Sequence, residues 1–318
     1  IGSTAGYDLT SGTYNVIMGY QAAYNATTAD NTVAIGRQAI GLGVLTGNDN
    51  VAVGNLAGYD LTSGTFNNFM GYAAGYNATT ADHNVAIGTY AIGLGVLTGD
   101  DNVAVGKEAG YDLTSGIRNV LTGRQAGYNL TTGSNNVFNG FQAGALATTA
   151  TATVAIGNQA ISAGVLTGDN NIAIGNTAGN DLTGGSYNFF GGYAAGLNAT
   201  TASYTVAIGN NAIGLGVLTG DSNVAIGNAA GYDLTSGAYN NFMGYSAGFN
   251  ATTASYTVAI GAQALGVGVL TGNHNIAFGY QAGYDLTGGS ENNFQGYRAG
   301  YNATTAERTI AIGYQAIG

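Results

Sequence analysis

The chain has 318 residues, 45 % of them hydrophobic and only 7 % charged, with a formal net charge of −10 and neither cysteine nor proline. The missing cysteines exclude disulfides, thiolate catalysis and Cys-ligated zinc, and the six bases (Arg37, Lys107, Arg118, Arg124, Arg298 and Arg308) are too scattered for the cationic footprint of nucleic-acid binding. No apolar run reaches the ~18 residues needed to insert in a bilayer, and the 56 glycines carry no Gly-X-Y period, so collagen is excluded.

Gly2 opens the chain's first coil, with Ala5 three places on. The pair returns as Gly19 and Ala22, Gly36 and Ala39, Gly54 and Ala57, and so on to Gly313 and Ala316, always at steps of 17 or 18 residues. A self-similar period of this length marks a solenoid. Three kinds of coil follow one another in fixed order. The first ends in a segment such as Ala57-Gly58-Tyr59-Asp60-Leu61-Thr62-Ser63-Gly64. The second reads Gly71-Tyr72-Ala73-Ala74-Gly75-Tyr76-Asn77-Ala78-Thr79-Thr80-Ala81, and the third, one residue longer, reads Ala91-Ile92-Gly93-Leu94-Gly95-Val96-Leu97-Thr98-Gly99. The three-coil unit spans 52 residues, as from Gly54 to Gly106, and lengthens once to 69, from Gly106 to Gly175, where an extra coil (Gly123 to Phe138) is inserted. A whole added coil keeps a solenoid in register and would disrupt a globular core.

Segments before the marker glycines alternate, as in Asn84-Val85-Ala86-Ile87-Gly88 and Asn223-Val224-Ala225-Ile226-Gly227. This period of two predicts short, half-buried strands with Val and Ile turned to the core. The marker glycine is expected in a positive-φ or crowded turn, and the absence of proline suits backbones whose N–H groups all enter ladders. The expected fold is therefore all-β: a parallel β-solenoid, or β-roll, of about nineteen coils with 17/17/18-residue repeats, running as one continuous array over residues 1–318. The chain begins and ends inside its repeat, so it reads as a window of a longer fibre.

Two residues before the marker glycine, most coils carry Ala, but those preceding a second-type glycine carry a large group: Ile17, Phe69, Leu121, Phe138, Phe190, Phe242 and Phe294. One bulky residue and two small ones in succession predict a knobbed face that packs against a neighbouring chain, which assigns these seven residues to a packing and oligomer interface.

The strand Asn-Val-Ala-Ile-Gly followed by x-x-Ala resembles the head repeats of trimeric autotransporter adhesins. Units such as Asn67-Asn68-Phe69-Met70-Gly71-Tyr72 through Asn77, repeated at 240–250 and 292–302, look like repeats of bacterial and phage tail-fibre proteins. The resemblance implies a homotrimer of parallel β-rolls, intertwined or side by side, on a cell or virion surface, attaching to a glycan or receptor of the host. Its function would be that of an extracellular adhesive or structural fibre. A non-binding spacer or self-assembling filament is the alternative. An ice-binding solenoid, suggested by the column Ser11, Thr28, Thr46, Ser63, Thr80 and Thr98, is a further one.

Catalysis has little to draw on. His83 and His274 occupy one turn position that elsewhere carries Asp101, Asn170 or Ser222, and the acids are spread out. Enzymes need groups of perturbed pKa converging in a pocket, so no catalytic residue, no metal ligand and no cofactor is assigned. The turns Gly47-Asn48-Asp49-Asn50, Gly99-Asp100-Asp101-Asn102 and Gly168-Asp169-Asn170-Asn171 offer oxygen ligands for calcium; Asx-turn chemistry is the reading adopted for them. Tyr72, Tyr76, Tyr245, Phe249, Tyr297 and Tyr301 concentrate in second-type coils. They are the candidate ligand-contact aromatics, against an alternative in which they form a ladder between rungs.

Overall fold

The computed structural model describes residues 1–317, in two compact units, Ile1–Ile156 and Gly157–Gly318. Both units are parallel β-solenoids with no helix among the described residues. The first carries β1 (Val16–Met18), β2 (Val33–Ile35), β3 (Val51–Val53), β4 (Asn68–Met70), β5 (Val85–Ile87), β6 (Val103–Val105), β7 (Val120–Thr122), β8 (Val137–Asn139) and β9 (Val154–Ile156). The second carries β10 (Ile172–Ile174), β11 (Phe189–Gly191), β12 (Val206–Ile208), β13 (Val224–Ile226), β14 (Asn241–Met243), β15 (Val258–Ile260), β16 (Ile276–Phe278), β17 (Asn293–Gln295) and β18 (Ile310–Ile312). Within each unit a strand pairs in parallel with the equivalent residues of the next coil, as Val85 with Val103, Ala86 with Ala104 and Ile87 with Val105. Outside the strands the coils keep bonding in the same sense: Gly58 N–H donates to Ala74 O (2.9 Å), Asp60 N–H to Tyr76 O (3.0 Å) and Thr62 N–H to Thr79 O (3.0 Å).

The marker glycine is required twice over. Gly71 has φ +135°, a region L side chains rarely adopt, and a Cβ on it would lie 2.7 Å from the carbonyl oxygen of Gly88 in the next coil. The sequence gives less warning that non-glycine residues share such backbone. Ala73 (φ 52°) and Phe66 (φ 57°) stand for two αL positions that recur from coil to coil, filled by Gln, Tyr, Asn, Arg and Ala alike, and third-type coils add a third, as at Ile92 (φ 47°). Each costs on the order of 1–3 kcal/mol, and inter-coil bonds such as Ala73 N–H to Asn55 O at 2.9 Å hold the conformation in place.

The strands face the opposite way from the expectation. In β5 the central Ala86 is fully buried, whereas Val85 is half-exposed and Ile87 37 % exposed. Small residues point in because a 17-residue coil encloses little volume, and its other sides already deliver large groups: Leu61 from a first-type coil, Ile92 and Leu97 from a third-type one, all wholly buried. The same inward direction corrects the interface assignment. Phe69, Leu121, Phe138, Phe190, Phe242 and Phe294 are 0 % exposed within their own chain, so they fill the coil interior and present no face to a neighbour; Ile17, near the chain start, is half-buried. Glycines make room for the rings. A Cβ on Gly75 would stand 2.7 Å from Phe69 Cγ, and one on Gly58 3.0 Å from Phe69 Cδ2. The knob therefore sits in a hole formed by the Ala-Gly pairs of its own and the preceding coil.

Beside this core runs a buried polar spine. Asn67 Nδ2 donates to Ala81 O (2.7 Å) and Asn50 Oδ1 (3.1 Å), its backbone N–H donates to Asn50 Oδ1 (3.0 Å), and its own Oδ1 accepts from Asn84 N–H (3.0 Å). The ladder continues through Asn84, Asn102, Asn119 and Asn136 to the N–H of Thr153. Shorter runs in the second unit end likewise at Thr205, Thr257 and Thr309. Each amide is satisfied, which is the condition for a polar group to lie buried without penalty.

Candidate interaction surfaces

With Ala and Phe turned inward, the strands present their first and third residues to the outside. Val33 and Ile35, Val51 and Val53, Val85 and Ile87, Val103 and Val105 form two adjoining aliphatic columns on the first unit. Val206 and Ile208, Val224 and Ile226, Val258 and Ile260 do so on the second. Nine rungs at about 4.8 Å make each strip roughly 40 Å long. Polar or atypical residues enter where the interior residue is bulky: Asn68, Thr122 and Asn139 in the first unit, Gly191, Asn241, Asn293 and Gln295 in the second. The Oδ1 atoms of Asn68 and Asn241 lack a hydrogen-bond partner.

The six candidate aromatics lie outside, and most are already engaged. Tyr76 stacks on Tyr59 (5.0 Å between ring centroids), Phe249 on Tyr232 (4.9 Å) and Tyr301 on Tyr284 (5.0 Å). Tyr297 lies between Tyr280 and Tyr314 at 5.3 and 5.1 Å. Tyr72 meets Tyr90 edge-on at 5.2 Å, and its hydrogen bond holds the Tyr90 phenol above its usual range. Burial raises Tyr76 and Tyr284. Rings stacked along the coil direction offer ligands their edges and occupy one another's faces. Tyr245, 59 % exposed, enters no ring pair among the described residues.

Two further surface features arise from the fold. The αL position before the ladder Asn or Thr carries stacked rings of its own: Phe66 with His83 (5.1 Å), Tyr187 with Tyr204 (5.1 Å), and Tyr256 between Tyr239 (5.0 Å) and His274 (5.1 Å). Third-type coils also push aliphatic pairs outward, such as Leu94 and Val96, more than half exposed. The recurrence of both is visible in the sequence, but which side of the coil they occupy depends on the αL turns.

The acidic turns bond within the chain. Asn48 Oδ1 accepts from Asp30 N–H (2.9 Å) and Asp100 Oδ1 from Asp82 N–H (2.8 Å), each capping the preceding coil. Asp30 Oδ1 in turn accepts from the Thr13 N–H (2.6 Å) and hydroxyl (2.8 Å), which lowers its pKa. Asp60, Asp112 and Asp233 are half-buried, and desolvation raises all three. Among the described residues no three His, Asp or Glu side chains converge on a point where a metal ion could sit.

Comparison with known proteins finds no matching family model and no matching curated sequence.

Proposed function

We propose that this chain is a segment of an extracellular fibre, adhesive or structural, in which three copies pack in parallel through the outer faces of their β-sheets. The observation that supports this reading is the pair of outward aliphatic columns. A strip roughly 40 Å long and about 10 Å wide covers ~400 Å² per unit, the size of the largest apolar patch on a typical monomer, which is often functional. The interface thus moves from Phe69 and its equivalents to Val85, Ile87 and theirs. Another copy is the favoured partner because its strands repeat with the same rung spacing. The rows with Asn68, Asn241 and Asn293 fall only in coils with a bulky interior residue, so shifting one copy by a single coil sets amide against aliphatic. The inserted coil removes the degeneracy of a three-coil shift. Buried polar residues fix register in this way in coiled coils.

The segment catalyses nothing and binds no nucleic acid on this reading, and it belongs on a cell or virion surface, where a glycan or receptor is its external partner. Sedimentation velocity of the isolated chain tests the assembly. A species of about 95 kDa, three times the 31.7 kDa of one chain, is expected, and a stable single-chain species would refute it. Attachment of the purified assembly to candidate host surfaces tests the adhesive role; absence of attachment leaves a spacer.

A further inference from the structure

We propose that a groove on the first unit, over Ala145, binds a neutral pyranose ring as the third member of a stack begun by Tyr111 and Tyr128. This goes beyond self-association, which uses a different side of the coil. Tyr111 and Tyr128 stack at 4.9 Å with planes 8° apart. The next coil carries Ala145 in the equivalent place, nearly buried, so the ladder stops at a methyl group and one face of Tyr128 opens on a recess. That recess has a volume of about 300 Å³ and is lined by Gln125, Tyr128, Asn129, Gln142, Ala145 and Leu146, at the lower end of the range for small-ligand sites.

The inserted coil creates the recess. Elsewhere a second-type coil is followed by a third-type one, and its Asn is tied down: Asn77 Nδ2 donates to Leu94 O (2.7 Å), and Asn25, Asn198 and Asn250 make the same bond to Leu42, Leu215 and Val267. Here a second-type coil follows another, Leu146 replaces the usual Asn, and the Asn129 side chain makes no such bond. Its amide is available to a ligand.

Gln125 is fixed, donating through Nε2 to Glu108 Oε2 (2.8 Å) and accepting from Gln142 Nε2 (3.0 Å). The Gln125 bond lowers the Glu108 pKa, so its charge is retained. An aromatic face, an apolar floor and a rim of amides match a sugar's C–H face and its hydroxyls. With no cation among the lining residues to pair with a carboxylate, the site takes a neutral sugar rather than an acidic one.

Saturation-transfer NMR on the full chain, with millimolar methyl β-D-glucopyranoside, methyl β-D-galactopyranoside and methyl N-acetyl-β-D-glucosaminide as probes, tests this. At least one should receive saturation, and Ala145→Tyr should reduce that transfer at least five-fold by supplying the missing ring. Tyrosine occupies this place in sibling coils, so the variant should fold, with its melting temperature as the control. Tyr128→Ala should lose transfer too; if it misfolds, Ala145→Tyr still decides. No transfer to any probe, or transfer that survives Ala145→Tyr, overturns the proposal, as does transfer confined to p-cresol, which would indicate an aromatic side chain of a partner. Sedimentation of the same samples reads self-association separately, so either reading can fail alone.

Discussion

Phe242→Ala isolates the claim that the large strand residues are interior packing. The ring is fully buried. A Cβ on Gly248 would lie 2.7 Å from Phe242 Cδ1, and one on Gly231 3.0 Å from Cδ2, so backbone lines the ring on both sides. Truncation would leave that volume empty, because the coils cannot close on it. Bonds such as Asn241 N–H to Thr257 O and Gly244 N–H to Ile226 O, each 2.8 Å, fix the rung spacing. Emptied aromatic sites cost about 3–5 kcal/mol. In a repeat array that loss is borne mainly by neighbouring coils, so amide exchange is the informative assay. At one decade per ~1.4 kcal/mol, amides of coils around 225–260 should exchange two to three and a half orders of magnitude faster. Mass in solution should not change. Exchange within a factor of about five of the parent, a loss of only ~1 kcal/mol, would refute the interior role, as would dissociation without local destabilisation.

Glycine positions should divide sharply. Gly71→Ala faces both its φ of +135° and the Gly88 carbonyl at 2.7 Å, and should prevent the coil from closing, seen as a collapsed thermal transition; Gly184→Ala meets nothing within 4 Å and should melt within about 0.5 kcal/mol of the parent or slightly above it. Asn84→Ala strands the buried groups above and below it, costing about 1–3 kcal/mol for each one left unpaired, whereas Asn84→Thr should be milder because Thr32 and Thr153 already hold ladder positions; denaturant midpoints check both. Burial raises the folded-state pKa of Asp60, Asp112 and Asp233 above 3.8, so these groups cost stability when ionised, and stability is regained as pH falls through their folded values towards the unfolded one. The triple Asp→Asn variant should melt higher than the parent near neutral pH and lose that advantage below the carboxylate range; an equal difference at both would contradict the burial argument.

The repeat, its parallel stacking and its strands were legible because glycine spacing and period-2 alternation are local signals. Strand polarity was not, since Val85-Ala86-Ile87 alternates identically whichever face is inside. Only the enclosed volume, together with the Leu61, Ile92 and Leu97 contributions from other sides, decides it. The Asn spine was legible in principle, as Asn50, Asn67, Asn84 and Asn102 stand immediately before successive strands, but its burial follows from the αL residue preceding each one. The recess at Ala145 depends on both the inserted coil, which is visible in the sequence, and the stacking of Tyr111 on Tyr128, which only the fold brings about.

The outer sheet face is tested most directly by sedimentation velocity of the chain beside its Ile87→Asp and Ile208→Asp variants, one in each unit. Both residues are more than a third exposed, so a carboxylate there is tolerated by the single chain and penalised only when the face is covered. The parent is predicted to run near 95 kDa and the variants near the 31.7 kDa of one chain, with unchanged circular dichroism. A parent that sediments as one chain, or variants that stay assembled, would contradict the assignment of this face.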